Sequence, residues 1–105
     1  MSLSRIYQWG DYASFAALTA ATSGAVDGDV GQVLMGSGSY ERYTSWKYDG
    51  QLAVWRINDV FITTSSVVLA NTPLAGIQGG DQVVCSDNGQ FAVWNANNST
   101  YSTLT

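Results

Sequence analysis

Histidine is absent from this chain, cysteine and proline occur once each, and only 11% of the residues are charged. Without histidine there is no Ser-His-Asp or Cys-His arrangement, no imidazole-ligated metal, and none of the commonest general base. The lone Cys85 permits neither an intrachain disulfide nor a thiolate cluster. Its setting, Val83-Val84-Cys85, reads as a buried thiol acting as a small hydrophobe. No apolar run approaches the roughly 20 residues a membrane-spanning helix needs. The stretch Phe15-Ala16-Ala17-Leu18-Thr19-Ala20-Ala21 is short, mostly alanine and preceded by Asp11, so it reads as a helix and not as a signal peptide. Arg5, Arg42, Lys47 and Arg56 are the only cations, and the net charge is −4. Phosphate backbones are bound by displacing counterions with many basic groups, so nucleic acid is not an expected partner.

What is present is apolar content of 46% in 105 residues, enough for one domain with its own core. Surface polarity comes from Ser, Thr, Asn, Gln, Gly and Tyr, a composition suited to protein or sugar contact. The expected fold is mainly β, a small antiparallel sandwich or barrel of hairpins with one short N-terminal helix. Residues 1–10 read as an extended arm or lead-in strand and 11–105 as a single domain. Asp11 is the expected N-cap of a helix over 12–21. Beyond it the hydrophobic period becomes strand-like. Val30 to Met35 and Tyr40 to Tyr48 are expected strands, joined by a flexible Gly36-Ser37-Gly38-Ser39 loop. Asp49-Gly50 is the expected two-residue hairpin turn, with Gln51 to Ile57 returning from it. Val60 to Thr64 and then Ser65 to Leu69 read as extended. Pro73 marks a break, Val83–Cys85 and Phe91–Trp94 form a further hairpin, and an edge strand containing Tyr101 closes the chain.

One string recurs. Gly50-Gln51-Leu52-Ala53-Val54-Trp55 returns as Gly89-Gln90-Phe91-Ala92-Val93-Trp94, five of six positions identical at an offset of 39 residues. Gly28-Asp29 and Gly80-Asp81 also echo, but at a different offset, so the repeating unit reads as a hairpin and not a fixed-length module. The two hairpins are expected at about 44–58 and 83–97. In each copy the alternation sets Ala and Trp on one face. Trp55 and Trp94 then either pack in the core or form a sugar platform or subunit interface. Tyr40, Tyr43, Trp46, Tyr48, Trp55 and Trp94 are the candidate interface or glycan-contact aromatics.

No catalytic, metal-binding or cofactor-binding residues are expected. The carboxylates fall mostly at turns and caps, where aspartate bonds its own backbone. Asp27-Gly28-Asp29 and Asp87-Asn88-Gly89 lack the ligand spacing of a calcium loop. The Gly36–Ser39 loop lacks the lysine of a phosphate loop.

Two stretches carry a family resemblance. Ser14-Phe15-Ala16-Ala17-Leu18 followed by Ala25-Val26-Asp27-Gly28-Asp29-Val30-Gly31-Gln32-Val33 is similar to a small helix leading into a Gly-Asp strand in tailed-bacteriophage virion surface proteins. Trp46-Lys47-Tyr48-Asp49-Gly50 with Trp55 resembles their aromatic Asp-Gly hairpin, although Trp55 lies further from the turn than the pattern has it. Together they cover about residues 12–57. The resemblance implies a non-enzymatic structural protein on the virion surface: a tail fibre, head spike or capsid decoration protein. No fibre shaft repeat accompanies it, which favours decoration protein or short spike. Its implied partners are other capsid or tail proteins and further copies of itself, as a symmetric homo-oligomer and often a trimer. The alternative expectation is a carbohydrate-binding module that recognises a host-surface glycan.

Overall fold

The computed structural model describes residues 7–103. Its elements run β1 (Gln8–Tyr12), α1 (Phe15–Ala21), β2 (Val30–Met35), a 3-10 turn (Gly38–Tyr40), β3 (Arg42–Asp49) and β4 (Val54–Ile57). They continue with β5 (Phe61–Thr63), α2 (Ser65–Leu69), β6 (Gln82–Cys85), β7 (Phe91–Asn95) and β8 (Thr100–Thr103). The fold is mainly β, with two four-stranded sheets in the orders β1-β2-β3-β4 and β5-β6-β7-β8.

The two sheets have the same topology. In each, the first two strands are parallel and the helix connects them; the rest of the sheet is an antiparallel meander. Parallel neighbours need a crossover connection, and that is why each sheet has a helix. Registers then match residue for residue. Val30 opposes Lys47, which opposes Arg56, while in the second sheet Gln82 opposes Val93, which opposes Ser102. Gly28 N–H donates to the Tyr48 carbonyl (3.0 Å) and Tyr48 N–H to that of Asp29 (2.8 Å). Gly80, Trp94 and Asp81 repeat this pair of bonds at 2.9 and 3.0 Å. The unit of repetition is therefore a whole β-α-β-β-β module. The Gly-Asp dipeptides are equivalent, and the Gly-Gln-Φ-Ala-Val-Trp strings are not. The first string spans the β3–β4 loop and the start of β4; the second runs from the β6–β7 turn into β7.

The β3–β4 and β7–β8 loops explain why a two-residue turn was the wrong expectation at Asp49-Gly50. Asp49 Oδ1 accepts from Gln51 N–H (2.9 Å) and Leu52 N–H (3.2 Å), which holds 50–53 in a longer loop. It ends at Ala53 in the left-handed region (φ 55°). In the second module Asn95 Oδ1 accepts from Asn97 N–H (3.0 Å), and Ser99 has the same φ of 55°.

Two further expectations are corrected. Asp11 lies in β1, and Ser14 is the N-cap of α1, its Oγ accepting from Ala17 N–H at 3.1 Å. Only Ala13 separates the last strand residue from the cap, and Ser14 has the extended backbone and a hydroxyl in reach. Ser65 to Leu69 is helical, because it carries the crossover of the second module. The lead-in is a paired strand over Gln8–Tyr12; the rest of the expected arm, residues 1–6, lies outside the described residues.

One core serves both modules. Val33, Trp46 and Trp55 from the first sheet, Phe61, Val83, Cys85 and Ala92 from the second, and Leu18 and Val68 from the helices form a single buried cluster. The Trp46 ring lies between Phe15 (centroids 5.0 Å apart) and Phe61 (5.4 Å, edge to face). No helix among the described residues is long and apolar enough to cross a membrane.

Candidate functional site

The aspartates that are chemically equivalent in both modules are structural. Asp29 is fully buried, and its Oδ2 accepts from Trp9 Nε1 (3.0 Å) and Val26 N–H (3.1 Å). Asp81 takes the same position, accepting from Gln78 N–H (2.8 Å) and from Arg56 (3.3 Å). Each pins the turn that leads into the second strand of its sheet. Asp87 caps α2 from the β6–β7 turn, accepting from Ser65 N–H (3.0 Å) and Ser65 Oγ (2.6 Å). Those bonds, the side-chain one foremost, hold its carboxyl below the ordinary carboxylate range. Asp59 takes two bonds from Arg42 (3.1 and 3.3 Å) and one from Val60 N–H (2.8 Å). Among the described residues no three His, Cys, Asp or Glu side chains group as a metal site.

The aromatic residues singled out from the sequence do not form one patch. Trp46, Trp55 and Trp94 are buried, which removes them from any surface platform. The physical reason is alternation: all three sit at inward-facing positions of β3, β4 and β7. Trp55 Nε1 donates to Thr22 Oγ1 inside the protein (2.8 Å). Tyr48 is half-buried, edge to face with Trp55 at 5.4 Å. The second module repeats that pair as Trp94 and Tyr101 at 4.7 Å. Only Tyr40 and Tyr43 are exposed. Cys85 is buried, as expected, and burial pushes its thiol above the ordinary value.

The two modules carry clefts at equivalent positions, between the turn before the second strand and the hairpin of the third and fourth. The first is about 500 Å³ in volume and is lined by Asp27, Lys47, Tyr48, Asp49, Gln51 and Arg56 among others. The second is about 360 Å³, and Gly79, Val93, Trp94, Asn95, Ala96 and Ser102 are among its walls. Lys47 and Arg56 are direct cross-strand partners, on the outward face of the sheet. Position by position, Asp27 corresponds to Gly79, Lys47 to Val93, Asp49 to Asn95 and Arg56 to Ser102. All four charges of the first cleft are replaced by uncharged groups in the second. Sequence reading missed this site because its members come from three segments whose equivalence appears only once the sheets are paired. The Gly28-Asp29 and Gly80-Asp81 echo was the available signal.

No protein-family model matches the chain, and neither a curated protein nor a solved structure matches it.

Proposed function

We propose that the protein is a non-enzymatic structural component of a bacteriophage-type virion surface, a decoration, spike or fibre protein that assembles as a symmetric oligomer. The observation that carries this reading is the outward face of the second sheet. There Val84 and Phe91 oppose each other directly, with Val93 beside them, and Phe91 is 41% exposed. An apolar face on a chain with so few charges is surface suited to burial against another protein. The edge strands β4 and β8 offer backbone groups for the same purpose. Aspartates committed to backbone donors support the absence of hydrolytic chemistry. Size-exclusion chromatography with light scattering, followed by co-sedimentation with phage capsids and tails, tests the reading. A strictly monomeric protein with no affinity for either particle overturns it.

A second reading, a carbohydrate-binding module, is favoured by the charged cleft of the first module. Carbohydrate sites commonly combine hydroxyl-accepting carboxylates and amides with cationic donors, and Asp27, Gln51 and Arg56 supply that set in a single cleft. Screening against an immobilised glycan library tests it, and absence of binding across the library counts against it.

A further inference from the structure

We propose that the cleft of the first module binds a carboxylate-bearing saccharide, with Lys47 and Arg56 as the carboxylate clamp. The proposal rests on the carbohydrate-binding reading and names the class of sugar.

The internal duplication separates what the fold requires from what it does not. Asp29 and Asp81 are retained because both pin the same turn. At the hairpin, Asn95 performs the turn bond that Asp49 performs, so a carboxylate is not needed there for folding. Val93 and Ser102 fill the sheet positions of Lys47 and Arg56, so two cations are not needed there either. Like charges placed directly across an antiparallel pair are unfavourable for the sheet. A chain with four basic residues in all nevertheless puts two of them opposite each other in a cleft.

Their partners are unequal. Arg42 is taken up by Asp59, and Arg56 reaches Asp81 through one guanidinium nitrogen at 3.3 Å, leaving most of its planar fork of donors uncommitted. Lys47 is exposed and has no ion pair among the described residues. A carboxylate fits this pair: one oxygen faces the ammonium and the guanidinium takes the other, in charge-assisted bonds. The remaining lining argues for a saccharide over a simple anion. Asp27 is exposed and uses Oδ1 to accept from Gly50 N–H at 2.9 Å, which leaves a second oxygen for a hydroxyl donor. Gln51 and Asn58 add amide donors and acceptors in the same cleft. A phosphate monoester, with up to about twice the charge of a carboxylate, would be repelled more strongly by Asp27 and Asp49 in the same cleft.

The test uses the intact chain and isothermal titration with four probes: a glucuronic-acid-containing oligosaccharide, a sialic-acid-terminated trisaccharide, and the carboxyl-reduced form of each. The expected result is binding of at least one acidic probe, at least tenfold weaker for its reduced form, for Lys47→Gln and for Arg56→Gln. Thermal midpoints for Lys47→Gln should be unchanged or raised, because removing one of two opposed cations relieves the sheet; a folding defect would lower them. Equal binding of acidic and reduced probes, unaffected by Lys47→Gln, overturns the inference and leaves the carbohydrate reading standing. Citrate or acetate binding as tightly as the sugars overturns the saccharide class. No binding of these probes, in a protein that binds other glycans in the library, overturns the acidic assignment alone. No binding of any glycan overturns both.

Discussion

Ala53 and Ser99 close equivalent hairpin loops in a backbone conformation that suits glycine better than any other residue. Left-handed φ costs a residue with a Cβ roughly 1 kcal/mol relative to glycine. Ala53→Gly is therefore expected to stabilise the protein by about 0.5–1 kcal/mol, less whatever chain entropy the glycine adds to the unfolded state. Urea denaturation would show the midpoint rise, and a fall would mean that the loop is not held as described. The opposite sign is expected at Asp29. Truncation to alanine takes the acceptor away from the half-buried Trp9 indole N–H and from the Val26 amide, for a loss of about 1–3 kcal/mol. The same titration, read by fluorescence, measures it.

Helix α2 is five residues long, too short to persist on its own propensity, and its first turn depends on Asp87. Because the folded carboxyl is held below its ordinary value, this contribution is fully present above the ordinary carboxylate range of about 4. It is lost as pH falls through the lowered folded value. Amide protection factors in residues 65–69 should fall below that range, and Asp87→Asn should show lowered protection there already at neutral pH. Unchanged exchange in the variant would assign the helix's stability to packing by Val68 instead.

A second prediction at the level of elements concerns a reciprocal steric pair. A Cβ on Gly50 would meet that of Asp27 at 2.7 Å, whereas the second module pairs Gly79 with Ala96. Gly50→Ala should cost about 1–3 kcal/mol, and adding Asp27→Gly should recover part of it, a coupling that a double-mutant cycle reads directly.

How much of this was legible follows from the range of the forces involved. Strands rich in Val, Trp and Tyr, the Pro73 break, the buried Cys85 and the edge strand at Tyr101 follow from local pattern. The helix at 65–69 was not legible, because Ser-Ser-Val-Val has no helical preference of its own and is helical only to make a crossover. The true repeat was hidden for a related reason: identical six-residue strings fell into different strands, since Asp49 and Asn88 close different turns ahead of them. The charged cleft was illegible until Lys47 and Arg56 had been put across from each other.

At the scale of the whole molecule, two modules of one topology share a core that neither can complete. Trp46 belongs to the first sheet and Phe61 to the second, and both are fully buried only where they meet. Residues 7–58 alone should therefore fail to give a cooperative transition, while the full chain should unfold in a single step with coincident far-UV and fluorescence curves. Trp46→Ala, which opens a cavity at the junction, should cost about 3–5 kcal/mol. A stable, cooperatively folded half would refute the shared core.

The tryptophans are divided unevenly between halves that are otherwise alike in backbone. Trp9, Trp46 and Trp55 lie in the first sheet, and Trp94 alone lies in the second, against Tyr101. Near-ultraviolet light therefore distinguishes the modules without any label. A Trp94→Phe protein would report emission from the first module only, and the difference from the parent would isolate the second. In stopped-flow refolding that difference spectrum would time the order in which the two sheets acquire their packing, a sequence of events that a duplicated backbone otherwise conceals.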